Sequence, residues 1–208
     1  MNRFFWGLMV VGSLSACGMT EDEQKEENKF LFIQIPDQAF LHHCVNHYDS
    51  DGDGRISRYE AQHVLHLSCP DLHIQSMIGV EEFVALRTLD CSGNQLTTFD
   101  ARPFKSLEEL NVSRNSALSY LQLDGLQRLT ALRCSNCALT NVGQDDCISL
   151  STLECHSNRL TTLDVSGCAG SMDRVVANDN PSLTTLYKRE SQRIEHLVID
   201  PQTQIEIR

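Results

Sequence analysis

The chain has 208 residues, a length that suits one or two domains. It carries 28 acidic and 17 basic residues, which give a formal net charge of −11. This acidity argues against a nucleic-acid partner, because phosphate backbones are bound by surfaces rich in Lys and Arg. It favours solubility and an attraction for cations and basic partners.

The first 16 residues have the features of an export signal. Met1–Arg3 is a short positive segment, and Phe4–Val11 is an apolar run too short to remain as a membrane-spanning helix. The next segment, Leu14–Cys17, resembles the bacterial lipobox, in which the chain is cut before the cysteine and the cysteine is acylated. The resemblance implies that Cys17 is a lipid anchor, and Gly18 beside it resembles the sorting pattern of outer-membrane lipoproteins. An ordinary cleaved signal with a nearby cysteine is the alternative.

Residues 17–29 are predicted to form a disordered acidic tether. The run Glu21–Glu27 holds five acids and one Lys, with no apolar side chain that could be buried. Acidic runs directly after a lipidated cysteine also resemble a surface-export signal of some Gram-negative lipoproteins. A solvated spacer is the other interpretation.

Residues 30–63 are predicted to form an EF-hand-like N-terminal cap. Phe30–Ile35 is β-like, and Pro36 is predicted to open a helix, where its missing N–H is no loss. Apolar residues then recur at helical spacing and predict one apolar helix face: Phe40, Leu41, Cys44, Val45 and Tyr48.

Residues 49–60 match the calcium loop of an EF-hand at every defining position. Carboxylates that converge in such a loop repel one another strongly without a cation. The predicted Ca²⁺ ligands are Asp49, Asp51, Asp53, the backbone carbonyl of Arg55, Ser57 and Glu60. An Asp/Gly-rich surface turn is the other interpretation.

The sequence contains no second loop of this kind. Ile56 at position 8 therefore lacks the partner loop with which EF-hands normally pair, and it is expected to pack on the repeats. A single loop predicts weak calcium affinity, on the order of 10⁻⁵ to 10⁻³ M. It suits a structural cap better than a sensor, which needs a bistable helix pair, although a calcium-responsive sensor is the alternative.

Residues 64–208 are predicted to form a repeat domain with a C-terminal cap. Copies of the pattern LxxLxLxxN/CxL begin 21 or 22 residues apart, at Leu86, Leu107, Leu129 and Leu150. This period marks a leucine-rich repeat, whose turns are too short to bury their own apolar side and so stack around a shared core. Weaker matches extend the phase from Val64 to Ile199. The sequence predicts an α/β solenoid of about seven turns with a parallel β-sheet, and a tail that folds back over the last turn.

Each repeat is predicted to have an inward and an outward set of side chains. In the first clear copy Leu89 and Cys91 point inward, while Thr88, Asp90 and Ser92 point outward. The outward positions form a polar concave face with few aromatics, which favours a protein or peptide ligand over a glycan. Besides Thr88, the predicted partner-binding residues are Asp90, Glu109, Asn111, Arg133, Glu154, His156, Arg174 and His196. Glycan-mediated adhesion and a merely solvated face are the alternatives.

Eight cysteines remain after Cys17, and in an exported chain they suggest disulfides or zinc. The repeat phase instead places most of them in inward columns with small apolar residues, where a free thiol behaves as a small hydrophobe. Buried thiols are therefore predicted, with a disulfide or zinc as the alternative. Four nearby histidines lack a further ligand at convincing zinc spacing: His43, His47, His63 and His66.

The order of these motifs resembles leucine-rich-repeat surface lipoproteins of Gram-negative, gut-type bacteria, and the repeats are distantly similar to internalins. The resemblance implies a parallel-sheet solenoid with non-enzymatic binding at the cell surface, and it names no ligand. Glu154 and His156 could in principle do acid–base chemistry, but an open sheet does not desolvate them and no nucleophile motif is present. The chain is thus expected to be a monomeric, lipid-anchored binding protein and not an enzyme.

Overall fold

A parallel sheet organises the molecule, which is described by a computed structural model for residues 31–143 and 146–208. Seven strands follow one another in the order β1-β2-β4-β6-β7-β9-β11, and every pairing between them is parallel. The predicted seven-stranded α/β solenoid is thereby confirmed, with six turns separating its first strand from its last. The predicted signal and tether, including Cys17, lie outside the described residues, and the predicted domain boundaries stay predictions.

The described helices and strands are short. They are α1 (Gln38–Tyr48), α2 (Arg58–Ala61), a 3₁₀ turn (Val80–Glu82), β1 (His66–Ser68), β2 (Thr88–Asp90), β3 (Thr98–Asp100), β4 (Glu109–Asn111), β5 (Tyr120–Gln122), β6 (Ala131–Arg133), β7 (Thr152–Glu154), β8 (Thr162–Asp164), β9 (Ser171–Val176), β10 (Thr185–Lys188), β11 (Arg193–Val198) and β12 (Gln204–Ile207).

The central residues of the seven strands stack in register and form the main column of the core. Leu89 pairs with Leu110, and Leu132 pairs with Leu153, as the repeat phase predicts. The side chains of β1 to β9 in this column are buried, because each turn covers the one before it. The column consists of Leu67, Leu89, Leu110, Leu132, Leu153, Val175 and Leu197.

A ladder of asparagine side chains joins the turns where the chain leaves each strand. Asn158 shows the pattern: its Nδ2 donates to the carbonyls of Cys134 (2.8 Å) and Cys155 (3.1 Å), and its Oδ1 accepts from the Leu139 N–H (3.0 Å). Each amide therefore satisfies buried backbone groups of two successive turns. The ladder comprises Asn94, Asn115, Asn158 and Asn180, with Cys137 in the position between the second and third.

Two details of the turns depart from simple alternation. Ser92 is buried, not outward as predicted, because the chain turns directly after β2 and the Ser92 N–H donates to Asp90 Oδ1 (2.9 Å). At the ladder position of Cys137, the thiol donates to the Val112 carbonyl at 3.5 Å. An asparagine at this position would accept a backbone N–H through its Oδ1, as Asn158 does. A thiol has no such oxygen, so the Leu118 N–H donates to the Asn115 carbonyl (2.9 Å) instead.

The C-terminal tail does not fold back over the last turn, so that prediction is wrong. β12 runs parallel to β10, with Ile205 in register with Leu186, and extends a second sheet of order β12-β10-β8. A third, two-stranded sheet pairs β3 with β5. The tail continues the solenoid through a shorter last turn, because Ile205 comes 19 residues after Leu186 (205 − 186), whereas Leu186 comes 23 residues after Leu163 (186 − 163). Beyond Asn180, the last residue of the asparagine ladder, the Asp200 carboxylate accepts from the N–H groups of Asp179 (2.9 Å) and Asn180 (2.8 Å).

The N-terminal cap packs helix α1 against the first turns. The helix begins at Gln38 and not at Pro36, because the Asp37 carboxylate accepts from the N–H groups of Ala39 and Phe40 and acts as N-cap. Phe40 and Cys44 on the predicted apolar face are buried, with the Phe40 ring 6.4 Å from that of Phe83. The cap therefore covers the N-terminal end of the shared core.

Protonation of His43 is expected to destabilise the cap. Burial, together with nearby His47, lowers the pKa of His43 from 6.5, so the folded state favours the neutral ring. The folded state therefore gains stability at pH values above the ordinary histidine pKa of 6.5. This gain is lost as the pH falls from 6.5 through the lower pKa that His43 has in the folded state. Urea unfolding from pH 8 to pH 5 should show a steeper loss of stability for wild type than for His43→Gln. The matched control is exposed His42, whose change to Gln should leave the slope unchanged.

None of the eight described cysteines forms a disulfide, and seven of them are buried. Cys69, Cys91, Cys134 and Cys155 occupy the inward column that Val112 and Ala177 share, and all six side chains are fully buried. Cys147 and Cys168 lie in a second column with Phe104 and Leu126, also buried. These positions accept a small apolar group, which is how a buried thiol behaves.

Native thiols are expected to react slowly. Burial raises the pKa of the Cys44, Cys69 and Cys155 thiols to about 12, which removes the reactive thiolate at neutral pH. In protein whose Cys17 is acylated or replaced by Ser, titration with a chromogenic disulfide should show one fast group in the native state, Cys137, which is only partly buried. Cys137→Ser should remove that phase, and all eight thiols should react after unfolding. Fewer than about six reactive thiols in the unfolded chain would contradict the prediction of core thiols.

Candidate functional site

The acidic loop after α1 is folded by its own first carboxylate. Asp49 Oδ1 accepts from the Gly52 N–H (2.7 Å), and Asp49 Oδ2 accepts from the Gly54 N–H (2.8 Å). Both glycines have positive φ, +74° and +80°, which most other residues adopt only with strain. The hydrogen bond from Gly54, followed by that from Gly52, lowers the pKa of Asp49. The loop thus holds an ionised carboxylate at its centre.

Three predicted metal ligands come together in this loop. Asp49, Asp51 and Asp53 each offer a carboxylate oxygen, and these oxygens lie within 4.8 Å of one another. In the described part of the chain, no other group of three or more His, Cys, Asp or Glu residues meets this criterion. Hard oxygen ligands in this arrangement suit Ca²⁺.

The other predicted ligands lie at the rim of the loop. Glu60 Oε1 accepts from the N–H and Oγ of Ser50 (2.6 and 2.8 Å), and Oε2 accepts from those of Ser57 (both 2.9 Å). Burial raises the pKa of Glu60, but these hydrogen bonds outweigh it and the net shift is downward. Ser57 also caps α2. The Arg55 guanidinium carbon lies 4.8 Å from the centre of the Phe32 ring. Because a guanidinium is a cation without an acceptor atom, only the backbone carbonyl of Arg55 is a candidate ligand.

Ile56 has a backbone partner within this chain, which the sequence analysis missed. The Ile33 N–H donates to the Ile56 carbonyl (2.9 Å), and Phe32 forms an antiparallel bridge with Ser57. The Ile56 side chain is buried in the shared core, as expected. The extended segment before Pro36 therefore takes the place of the second loop of an EF-hand pair. The β-like sequence of residues 30–35 was the feature from which this backbone pairing could have been predicted.

The second candidate site is the outward face of the seven-stranded sheet, called here the strand face. Its middle carries a row of alternating charges. The Arg174 guanidinium lies 2.9 Å from the Glu154 carboxylate, and Arg133 lies between Glu154 (3.9 Å) and Glu109 (3.5 Å). All four side chains are partly exposed, so each pair adds little stability. Their mutual contacts hold the four side chains in a defined arrangement that a binding partner can contact.

The remaining predicted partner-binding residues do not all stand free on this face. Asp90 and Asn111 also accept hydrogen bonds from their own turns, through the N–H groups of Ser92 (2.9 Å) and Ser113 (3.1 Å). His156 lies beyond the end of β7, not on a strand as predicted, since the strand ends at Glu154 and the chain turns there. His196 is exposed on β11, in register with Arg174.

The strand face also includes His66 on β1, which the sequence analysis did not assign to it. His66 Nδ1 lies 2.8 Å from Thr88 Oγ1 and the two residues are in register. His66, Thr88 and Arg133 are among the residues that line a depression of about 270 Å³ on this face. The repeat phase placed Leu67 in the core and so already implied that His66 points outward.

The strand order, the repeat period and the asparagine ladder define a leucine-rich-repeat solenoid. A family model described as Leucine Rich Repeat matches residues 85–107, the segment that contains β2 and β3. No curated protein matches the chain.

The solved structures to which the chain is similar include three internalins of Listeria monocytogenes. Internalin C2 is 18% identical over 85% of this chain and 87% of that chain, with a TM-score of 0.45. Internalin InlF is 14% identical over 86% and 64%, with a TM-score of 0.41. The functional domain of InlJ, described as including a cysteine ladder, is 18% identical over 82% and 60%, with a TM-score of 0.34. The chain thus spans less than two thirds of the InlJ and InlF structures.

Proposed function

We propose that the chain is a non-enzymatic binding protein that recognises a protein or peptide through the strand face. The observation that carries this proposal is the row Glu109–Arg133–Glu154–Arg174, which spans neighbouring strands on an otherwise polar surface. Alternating charges of this kind give specificity and orientation to an interface more than raw affinity. The side chains beneath it fill a closed apolar core and leave recognition to the outer surface.

The proposed binding is tested by changing the strand face without touching the core. A triple variant, Glu154→Ala, His156→Ala and Arg174→Ala, should lose most capture of a partner from intact cells or host extracts. The matched control changes three exposed residues away from the strands: Gln127→Ala, Arg128→Ala and Arg159→Ala. Equal capture by both triple variants would reject the strand face as the binding site.

We further propose that the acidic loop binds Ca²⁺ as a structural cap. The three clustered aspartates fit a hard cation, and the fold of the loop is already set by Asp49. Asp49, Asp51, Asp53 and the Arg55 carbonyl would hold the ion, with Ser57 at the rim. Glu60 can join them only by giving up hydrogen bonds from Ser50 or Ser57. Bound calcium would offset the repulsion among these carboxylates and tie the end of α1 to α2.

Attachment to the outer membrane through Cys17, with the repeats at the cell surface, is the third part of the proposal. It is supported by the lipobox-like Leu14–Cys17 segment and by Gly18. Among residues 31–143 and 146–208, no helix is both long and apolar enough to cross a bilayer. Metabolic labelling with a fatty acid should mark wild type and spare Cys17→Ser. Protease treatment of intact cells should remove the repeats if they face outward.

A further inference from the structure

The last turn of the solenoid leaves two strand edges unpaired within the described residues. β11 pairs with β9 alone, and β12 pairs with β10 alone. The opposite end differs, because the cap covers it and the Tyr48 hydroxyl donates to the His66 carbonyl of β1 (3.1 Å). An unpaired edge presents backbone groups that can pair with a further strand.

Apolar side chains accompany these edges. Ile205 and Ile207 of β12 are 46% and 55% exposed. Ile194, Leu197 and Ile199 are only partly buried, whereas the equivalent residues one turn earlier are fully buried. The core column therefore reaches the surface at this end and would gain from being covered.

The backbone hydrogen bonds show which groups of β11 face outward. In six successive turns the N–H of the residue that follows the strand donates to a backbone carbonyl of the next turn. The last of these hydrogen bonds runs from the Ala177 N–H to the Val198 carbonyl (2.8 Å). Val198 thus faces back toward β9. Because peptide groups alternate along a strand, those of Leu197 and Ile199 face away from the sheet.

We propose that a second copy of this chain pairs antiparallel with β11, about a two-fold axis that passes by Val198. Leu197 then lies opposite Ile199 of the other copy as a hydrogen-bonded pair, and this pair occurs twice. Val198 meets its own counterpart at the closer, non-hydrogen-bonded position. His196 lies opposite Asp200 of the other copy, a residue whose carboxylate also accepts from the Asp179 and Asn180 N–H groups of its own chain. Such self-complementarity is what a two-fold interface requires.

The charge distribution favours the same occupant. The whole chain carries −11, but residues 188–208 contain four basic and four acidic residues, so their formal charge is zero. Two copies can approach through this end without the repulsion that the rest of their surfaces would impose. The proposal replaces the monomer expected from the sequence.

A symmetric cross-link tests the placement of the axis. Non-hydrogen-bonded antiparallel pairs have Cα atoms about 4.5 Å apart, within the range of a disulfide. Val198→Cys in the full chain should therefore give a covalent dimer under mild oxidation. Ile148→Cys, at an exposed position away from β11, should remain monomeric. Equal cross-linking of the two variants, or of neither, would overturn the pairing at Val198.

Sedimentation equilibrium of the full chain tests the interface by charge. Wild type should dimerise with rising concentration, and His196→Asp should raise the dissociation constant about tenfold, because it sets like charges opposite each other twice. His196→Lys should retain the dimer. Thr152→Asp, in the same row of the strand face but inside the sheet, is the matched control. A wild type that stays monomeric, or equal effects of Asp at 196 and 152, would refute the proposal. The assay contains no other protein, so its outcome is independent of the proposed partner binding.

Discussion

Replacing Asn158 by Ala is expected to lower the free energy of unfolding by about 3 kcal/mol or more. The change leaves two buried backbone groups without their partner, the carbonyl of Cys134 and the N–H of Leu139, and the Cys155 carbonyl keeps only its hydrogen bond from Asn180 Nδ2 (3.1 Å). A buried polar group that loses its hydrogen bond costs about 1–3 kcal/mol, and water cannot easily enter because Asn158 is 5% exposed. Since domains are stable by only about 5–15 kcal/mol, urea denaturation should show a large shift of the midpoint.

The ladder supplies its own control at Cys137. Its thiol makes only long contacts with the carbonyls of Val112 (3.5 Å) and Ser135 (3.6 Å), and the Leu118 N–H already has another acceptor. Cys137→Ala should therefore cost about 1 kcal/mol or less. If the two alanine variants lost similar stability, the asparagine side chains would not be the main link between turns.

Calcium is expected to stabilise the protein, and chelation is expected to reverse the effect. At a free Ca²⁺ concentration a hundredfold above the dissociation constant, binding to the folded state alone adds about 2.7 kcal/mol to the free energy of unfolding. For a chain of this size the melting temperature should rise by roughly 5–11 °C. Melting curves in calcium and in chelator measure the shift, and calorimetry gives the affinity, expected on the order of 10⁻⁵ to 10⁻³ M.

The matched variant for this prediction is Asp51→Asn with Asp53→Asn. It keeps side-chain oxygens that can accept the loop hydrogen bonds from the Asp53 and Arg55 N–H groups, and it removes two negative charges. Its melting temperature in chelator should equal or exceed that of wild type, because the repulsion is smaller. Its response to calcium should be weaker, because Asn keeps an oxygen ligand but lowers the negative charge that attracts the cation. Asp173→Asn, at an exposed position elsewhere, should respond like wild type. Nanomolar calcium binding, or an unchanged response of the double variant, would contradict the proposal of a weak structural site.

The periodic features of this fold could be predicted from the sequence because they depend on local spacing. Leu89, Leu110, Leu132 and Leu153 recur 21 or 22 residues apart, and stacking is the only way for such short turns to bury them. The same phase placed Cys91 and Cys155 inside the core and Glu154 and Arg174 outside it. The spacing of Asp49, Asp51 and Asp53 likewise predicted that their carboxylates converge.

The tertiary structure decided which contacts form at the two ends of the solenoid, because these contacts join segments that do not share the repeat period. The pairing of Ile33 with Ile56 links the chain start to the acidic loop. The path of β12 along β10, and not across the last turn, leaves Ile205 and Ile207 exposed. The hydrogen bonds of Glu60 to Ser50 and Ser57 were equally beyond the sequence pattern. By itself the sequence determined the repeating core and the rows of outward side chains, since each turn packs against a neighbouring turn with the same residue pattern. Only the tertiary structure decided what packs against the first and the last described turn, because on one side each of these turns has no neighbouring repeat.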